Sequence, residues 1–265
     1  MWKVYIYAND ISPLCRSVLM VAKEIRLKYE MKPINLDKQE HLTEDFLNVN
    51  PLHTIPVLYD HGFVLADSHA IACYLVDDFS HIIRLYPKEM QKRALVAQYL
   101  MFEATVMFPS IKRIVLSILF GKEFTITKED IDACKEAFSK LNTLLEGKTW
   151  LIRDYAHYTI ADISCVATAS SASILVDMDE YPNVKTWMKR CEQGIPSYNE
   201  FNVPGLKKLH ALMSAALPSA AVPSAAVPSA TDPSAADTSA ADPSAAVPSA
   251  TVPSAALPSD ALPSS

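Results

Sequence analysis

NPLHTIPVL, Asn50 to Leu58, followed by ADSHAI, Ala66 to Ile71, decides how this chain is read. Ile55-Pro56 stands where a short β-run, Val57 to Asp60, begins. A cis bond before proline costs about 0.5–1 kcal/mol, against roughly 3 kcal/mol before other residues. Such a bond would turn the preceding N–H and C=O outward, where they can pair with a peptide-like ligand as an added strand does. Asp67 and Ser68, opening the next helix, are placed to hold an α-amino and an α-carboxylate group. The plainer reading is a trans proline at the start of a strand.

Upstream, Val4 to Tyr7 reads as a strand and NDISPLCRSVLMVAKE as loop and helix, with Ser12 at the N-cap and Pro13 at the first helical position. A cap and a catalytic hydroxyl need the same placement, so one residue can serve as both. Residues 1–80 go on to alternate: helix 12–25, strand 29–34, helix 43–49, strands 57–59 and 63–65, helix 67–79. From Tyr86-Pro87 onward the period is helical, with amphipathic stretches at about 88–119, 128–146, 160–176 and 182–193, which predicts a helical bundle over 87–212. Thr159-Ile160-Ala161-Asp162 spells a capping box and marks the start of a core helix.

Residues 216–265 are of another kind: ten pentamers of the type A-V-P-S-A, without aromatic, glycine or basic residues. Proline at nearly every fifth position forbids helix interiors and the apolar content is too low to bury, so this tail is expected to be disordered. It holds four aspartates, leaving 26 acidic against 24 basic side chains in residues 1–215. A body so close to neutrality points to neither a nucleic acid nor an anionic membrane as partner. The N-terminus lacks a signal-peptide core, and the longest apolar run, Ile114 to Phe120, is too short to span a bilayer, which predicts a cytoplasmic protein. Five scattered cysteines without a CxxC fit reduced thiols, with no metal site.

SPLCRSVLM, NLDKQEHLTEDFLNVNPLHTIPVL, ADSHAIACYLVDDF, LYPKEMQKRA, EDIDACKEAF, YTIADIS and YPNVKTWMKRCE occur in the order and near the spacing of the insect cytosolic glutathione transferases. Over residues 3–200 the chain resembles the delta and epsilon classes of that family, with DSHAI closer to epsilon. The resemblance implies an α/β thioredoxin-like domain over 1–80, an all-α domain over 87–212, a homodimer, and glutathione as co-substrate of a small hydrophobic electrophile. It further implies that Ser12 is the catalytic hydroxyl. His41 and His53 would meet the glycine end of glutathione, Ile55 the cysteinyl backbone with Pro56 setting its geometry, and Asp67 and Ser68 the γ-glutamyl end. His69 stands where delta enzymes carry arginine and is read as facing solvent.

Phe108, Ile111, Lys112, Val115 and Leu119 recur at helical spacing, hence on one face, and the resemblance lays that face over the thiol as an electrophile pocket. Pro109 is expected to remove a backbone bond to Thr105 and kink the helix. No histidine and aspartate are spaced to activate Ser12 as a nucleophile, so its role is that of a donor stabilising an anion. Two other readings share these residues: a ligandin-like carrier of apolar molecules with little turnover, and a redox role for Cys15 near the helix start.

Overall fold

The computed structural model describes residues 4–80 and 82–217. Most of the repeat tail, from residue 218 on, lies outside the described residues. The first part is a four-stranded sheet in the order β2-β1-β3-β4. Its strands are β1 (Val4–Ala8), β2 (Glu30–Pro33), β3 (Val57–Asp60) and β4 (Phe63–Ala66). β1 runs parallel to β2 and antiparallel to β3, and β3 runs antiparallel to β4. The helices between them are α1 (Pro13–Glu24), α2 (Glu44–Val49) and α3 (Ser68–Phe79), in the βαβαββα order read from the sequence. α1 is amphipathic to the point of near-complete burial: Val18, Leu19, Met20 and Val21 pack with Ile6, Leu58, Ile71 and Leu75 in one core. Each such side chain contributes about 1.5–3 kcal/mol of transfer free energy.

The helical part comprises α4 (Met90–Phe102), α5 (Phe108–Leu119), α6 (Lys128–Leu144), α7 (Ile160–Ala172), α8 (Pro182–Gly194) and α9 (Val203–Ala216). α7 is buried on every side, from Ile160 to Ala172. It starts at the anticipated capping box: the Thr159 N–H donates to Asp162 Oδ2 at 2.9 Å. Asp162 also accepts from Leu151 N and Trp187 Nε1, each at 3.0 Å, so one carboxylate ties the preceding loop and α8 to the helix start. A second capping box, Thr127 with Asp130, opens α6.

The single helix expected over 88–119 is divided. A π-helical turn, Glu103–Met107, separates α4 from α5, and Pro109 lies in the first turn of α5. The missing proline N–H is thus absorbed where the hydrogen-bond register already changes, and the Thr105 hydroxyl turns back to Met101 O at 2.7 Å. The continuous run Met90–Leu119 is long and apolar enough to cross a bilayer by length and composition. Its residues Val96, Leu100, Met107, Ile111 and Ile114 instead belong to the core of the bundle. α9 was not anticipated as a separate element, because Pro196 and Pro204 interrupt the pattern; Pro204 is tolerated in its first turn.

Candidate functional site

Strand register gathers the site. Ala8 pairs with Pro33, Tyr7 with Val57, and Val57 with Ala66. The chain therefore leaves β1 toward Ser12, leaves β2 toward His41, enters β3 from His53 to Pro56, and leaves β4 toward Asp67, all at one end of the sheet. Two helices, α1 and α3, begin at that end and present the positive ends of their dipoles there.

At α1, Ser12 is the N-cap, and its oxygen accepts from Cys15 N at 3.4 Å. Accepting leaves the hydroxyl its own hydrogen to donate. Cys15 is fully buried, and burial pushes its thiol up to about 11. An inaccessible, protonated thiol has no redox chemistry to offer, which removes that reading.

At β3, the Ile55-Pro56 bond is cis. Asn50 braces the approach to it, donating from Nδ2 to Thr54 O at 2.9 Å and accepting at Oδ1 from Leu52 N at 3.1 Å. His53 is exposed with φ 47, in the left-handed region. His41, in a single 3-10 turn, is buried, and its ring centroid stands 6.2 Å from that of His53 and 5.3 Å from that of Phe120. Burial, with a smaller effect of His53, lowers the His41 imidazole below its ordinary value, and its Nδ1 is buried without a hydrogen-bond partner among the described residues. The Phe120 contact seats the C-terminal end of α5 on this histidine.

At α3, Asp67 holds φ 80, a strained conformation for a non-glycine residue, and accepts at Oδ1 from His69 N (2.9 Å) and Ala70 N (3.0 Å). Ser68 is buried beside it. His69 does not face solvent. It is buried, and its Nε2 lies 2.8 Å from Oε2 of fully buried Glu103, within ion-pair distance though not aligned as a hydrogen bond. The other Glu103 oxygen accepts from the Thr168 hydroxyl on α7. The π turn carries Glu103, and nothing in the local pattern announced that it would meet a histidine 34 residues earlier.

The anticipated α5 stripe does not form one accessible wall. Ile111 and Val115 are fully buried and Leu119 nearly so, because α5 faces α6, α7 and α9 with that side; Phe108 is half-buried and Lys112 exposed. One surface groove lies past the end of α5. It is a shallow, open depression of about 640 Å³ lined by Lys122, Glu123, Phe124, Thr125 and Leu212. Among the described residues no cluster of His, Cys, Asp or Glu is arranged to hold a metal.

Helix starts that offer N–H groups, a cis-proline turn and a helical second half define a thiol-transferase type of fold and site. Residues 11–78 match the family "Glutathione S-transferase, N-terminal domain". Glutathione S-transferase 1 of Manduca sexta is 35% identical over 204 residues, covering 76% of this chain and 92% of that protein. An epsilon-class glutathione S-transferase from the housefly, Musca domestica, superimposes with TM-score 0.74 at 35% identity, over 80% of this chain and 98% of the other. A glutathione transferase homolog from Drosophila mojavensis, solved with bound glutathione, does so with TM-score 0.75 at 35% identity, over 82% and 99%. The chain belongs to the glutathione S-transferase family, within its insect delta and epsilon relatives, and is a glutathione transferase.

Proposed function

We propose that Ser12 activates the thiol of glutathione, and that the sulfur is then transferred to a small hydrophobic electrophile. The observation that carries this is the convergence of Ser12, the Ile55-Pro56 turn and the Asp67–Ser68 helix start at one end of the sheet. A thiol titrates near 8.5 in water, so little of it is nucleophilic at neutral pH. One hydrogen bond to an anion contributes about 1.5–3 kcal/mol and a helix N-terminus about 0.3–1 kcal/mol more. At about 1.4 kcal/mol per pH unit this lowers the thiol by about one to three units without a general base. The thiolate then attacks an electrophilic carbon: the C–S bond forms and the leaving group departs with its bonding pair. In the elimination variant the thiolate takes a proton and a halide leaves.

His41 and His53 suit the glycine carboxylate: the unpartnered Nδ1 of buried His41 stands one ring contact behind an exposed imidazole. Ile55 and Pro56 serve the cysteinyl backbone, and Asp67 with Ser68 the γ-glutamyl end. For the electrophile, half-buried Phe108 and exposed Lys112 are the members of the α5 stripe with surface to offer, while Ile111, Val115 and Leu119 support them from the core. A homodimer is favoured by α4, whose Met90, Ala94, Ala97 and Met101 recur at helical spacing and are all exposed, Met90 at 84%. We assign the protein to the cytoplasm.

Replacing Ser12 by alanine tests the central step. Turnover at about pH 6.5 should fall roughly 10- to 100-fold, the equivalent of one to two pH units in the thiol, with little change in glutathione affinity. Unaltered turnover across a panel of electrophiles would overturn the role of Ser12.

A further inference from the structure

Arg16, one turn along α1 from Ser12, is fully buried. Its guanidinium donates from Nη1 to the carbonyls of Asp10 (3.1 Å) and Ile11 (2.6 Å), the two residues before Ser12. Nε donates to Asn202 Oδ1 at 2.8 Å, and Nη2 to Ala167 O at 3.3 Å and to the Ser171 hydroxyl. Every one of these acceptors is neutral. A buried cation is ordinarily matched by a carboxylate, because desolvating it is costly. Here the Asp10 carboxylate turns away to Lys208, and among the described residues none forms an ion pair with Arg16.

Of the ionisable groups around Arg16, Asp10 alone brings an opposing charge, and that carboxylate is shared with Lys208. On its own segment these are Cys15, whose thiol burial pushes to about 11, and Asp10, already paired with Lys208 of α9. Tyr198, in the π turn before α9, is pushed by burial to about 12, and the His210 imidazole of α9 is lowered by burial, so both are neutral at pH 7. α7 contributes only a hydroxyl and a carbonyl. The guanidinium itself, lowered by burial to about 10, stays protonated.

We propose that Arg16 is a positioning residue for the thiol chemistry, whose buried charge, held without an ion-pair partner, stabilises the thiolate at the start of α1 while its fork fixes the backbone that aims Ser12. The inference rests on the reading above that the glutathione thiol is held at the start of α1. A unit charge on the order of 10 Å away, at an effective dielectric constant near 20, shifts a thiol by about one pH unit. The fork supplies the geometry: Asp10 and Ile11 are tied through one side chain to α7 and to Asn202, so the loop cannot move independently of the helical part.

Asn202→Asp tests the charge while keeping the shape. The full chain with bound glutathione is titrated by thiolate absorbance in the ultraviolet, alongside a pH–rate profile. The thiol should titrate about one pH unit higher, and turnover near pH 6.5 should drop about tenfold and recover in alkali, because the neutralised pair no longer favours the anion. A folded Asn202→Asp protein with an unshifted thiol overturns the proposal. Should that variant not fold, Arg16→Lys and Arg16→Met decide: both lose the fork, but only methionine loses the charge. A larger rise in thiol pKa for methionine than for lysine supports the proposal, and equal shifts overturn it. Ser12→Ala in the same titration separates the two claims. If it leaves the thiol unshifted while Asn202→Asp raises it, the Ser12 role fails and that of Arg16 stands; the reverse pattern sinks Arg16 alone.

Discussion

Replacing Gly205 by alanine adds one methyl group where α9 comes closest to the loop that carries Ser12. A Cβ there would fall 2.6 Å from the carbonyl carbon of Asp10, nearer still to its oxygen, and 3.1 Å from Cδ of Arg16. Carbon contacts normally settle near 3.5–4.0 Å, so the loop and the helix must part by about 1 Å. Two effects oppose each other. Alanine within a helix is favoured over glycine by about 0.8–1 kcal/mol, whereas overpacking a tight contact costs about 1–3 kcal/mol. The clash wins, because its partner is backbone held by Arg16 and not the yielding tip of a side chain. For a body of some 200 residues each kcal/mol is worth about 2–4 °C, so the melting temperature should drop by a few degrees. If the strain is taken up by residues 9–12, Ser12 moves with them, and a displacement of about 1 Å costs on the order of a hundredfold in rate. Thermal melting and steady-state turnover measure both. A variant that melts at or above the wild-type temperature with unchanged turnover would refute the close approach as an organiser of the loop.

Asp162→Ala should be the more damaging to stability, since it removes a cap worth about 1 kcal/mol and strands buried donors at Leu151 and Trp187 at about 1–3 kcal/mol each; denaturant unfolding should show a loss of about 3–7 kcal/mol. Asp67→Asn keeps an acceptor for His69 N and Ala70 N, so it should raise the Michaelis constant for glutathione at nearly unchanged melting temperature; Asp67→Ala should lose about 1 kcal/mol of stability besides. Phe108→Ala should raise the Michaelis constant for bulky apolar electrophiles and spare that for glutathione, and equal effects on both would return Phe108 to the core. His210 is lowered from 6.5 by burial, against the opposing effect of Ser170 O and Ser171 O, so its contribution is intact above pH 6.5 and lost as pH falls through the lowered value. Melting curves over that acid range should flatten in His210→Gln.

Local chemistry made much of the protein legible. Ser12 and Pro13 mark a helix start by rules that act within four residues, as do Thr159 and Asp162, and both starts occur where those rules put them. The alternation of strand and helix periods up to Phe79 fixes the order of elements, and proline before a strand marked the Ile55-Pro56 turn. Boundaries failed where hydrogen-bond register changes without a compositional sign, as at the π turn Glu103–Met107, or where prolines mask a helix, as in α9.

What no local pattern could supply is who meets whom. The stripe from Phe108 to Leu119 has a helical period whether it lines a pocket or fills a core, and only the neighbours of α5 assign Ile111 and Val115 to the core. His69 reads as a surface residue, whereas the fold sets it against Glu103 of the π turn, which Thr168 of α7 holds from its other oxygen. Nothing in consecutive residues tells that the Arg16 guanidinium bonds to Asn202, 186 positions away. Capping and periodicity are short-range and so are written in consecutive residues. Burial, pairing and the electrostatics of a buried charge depend on distance in space, and tertiary packing alone decides them.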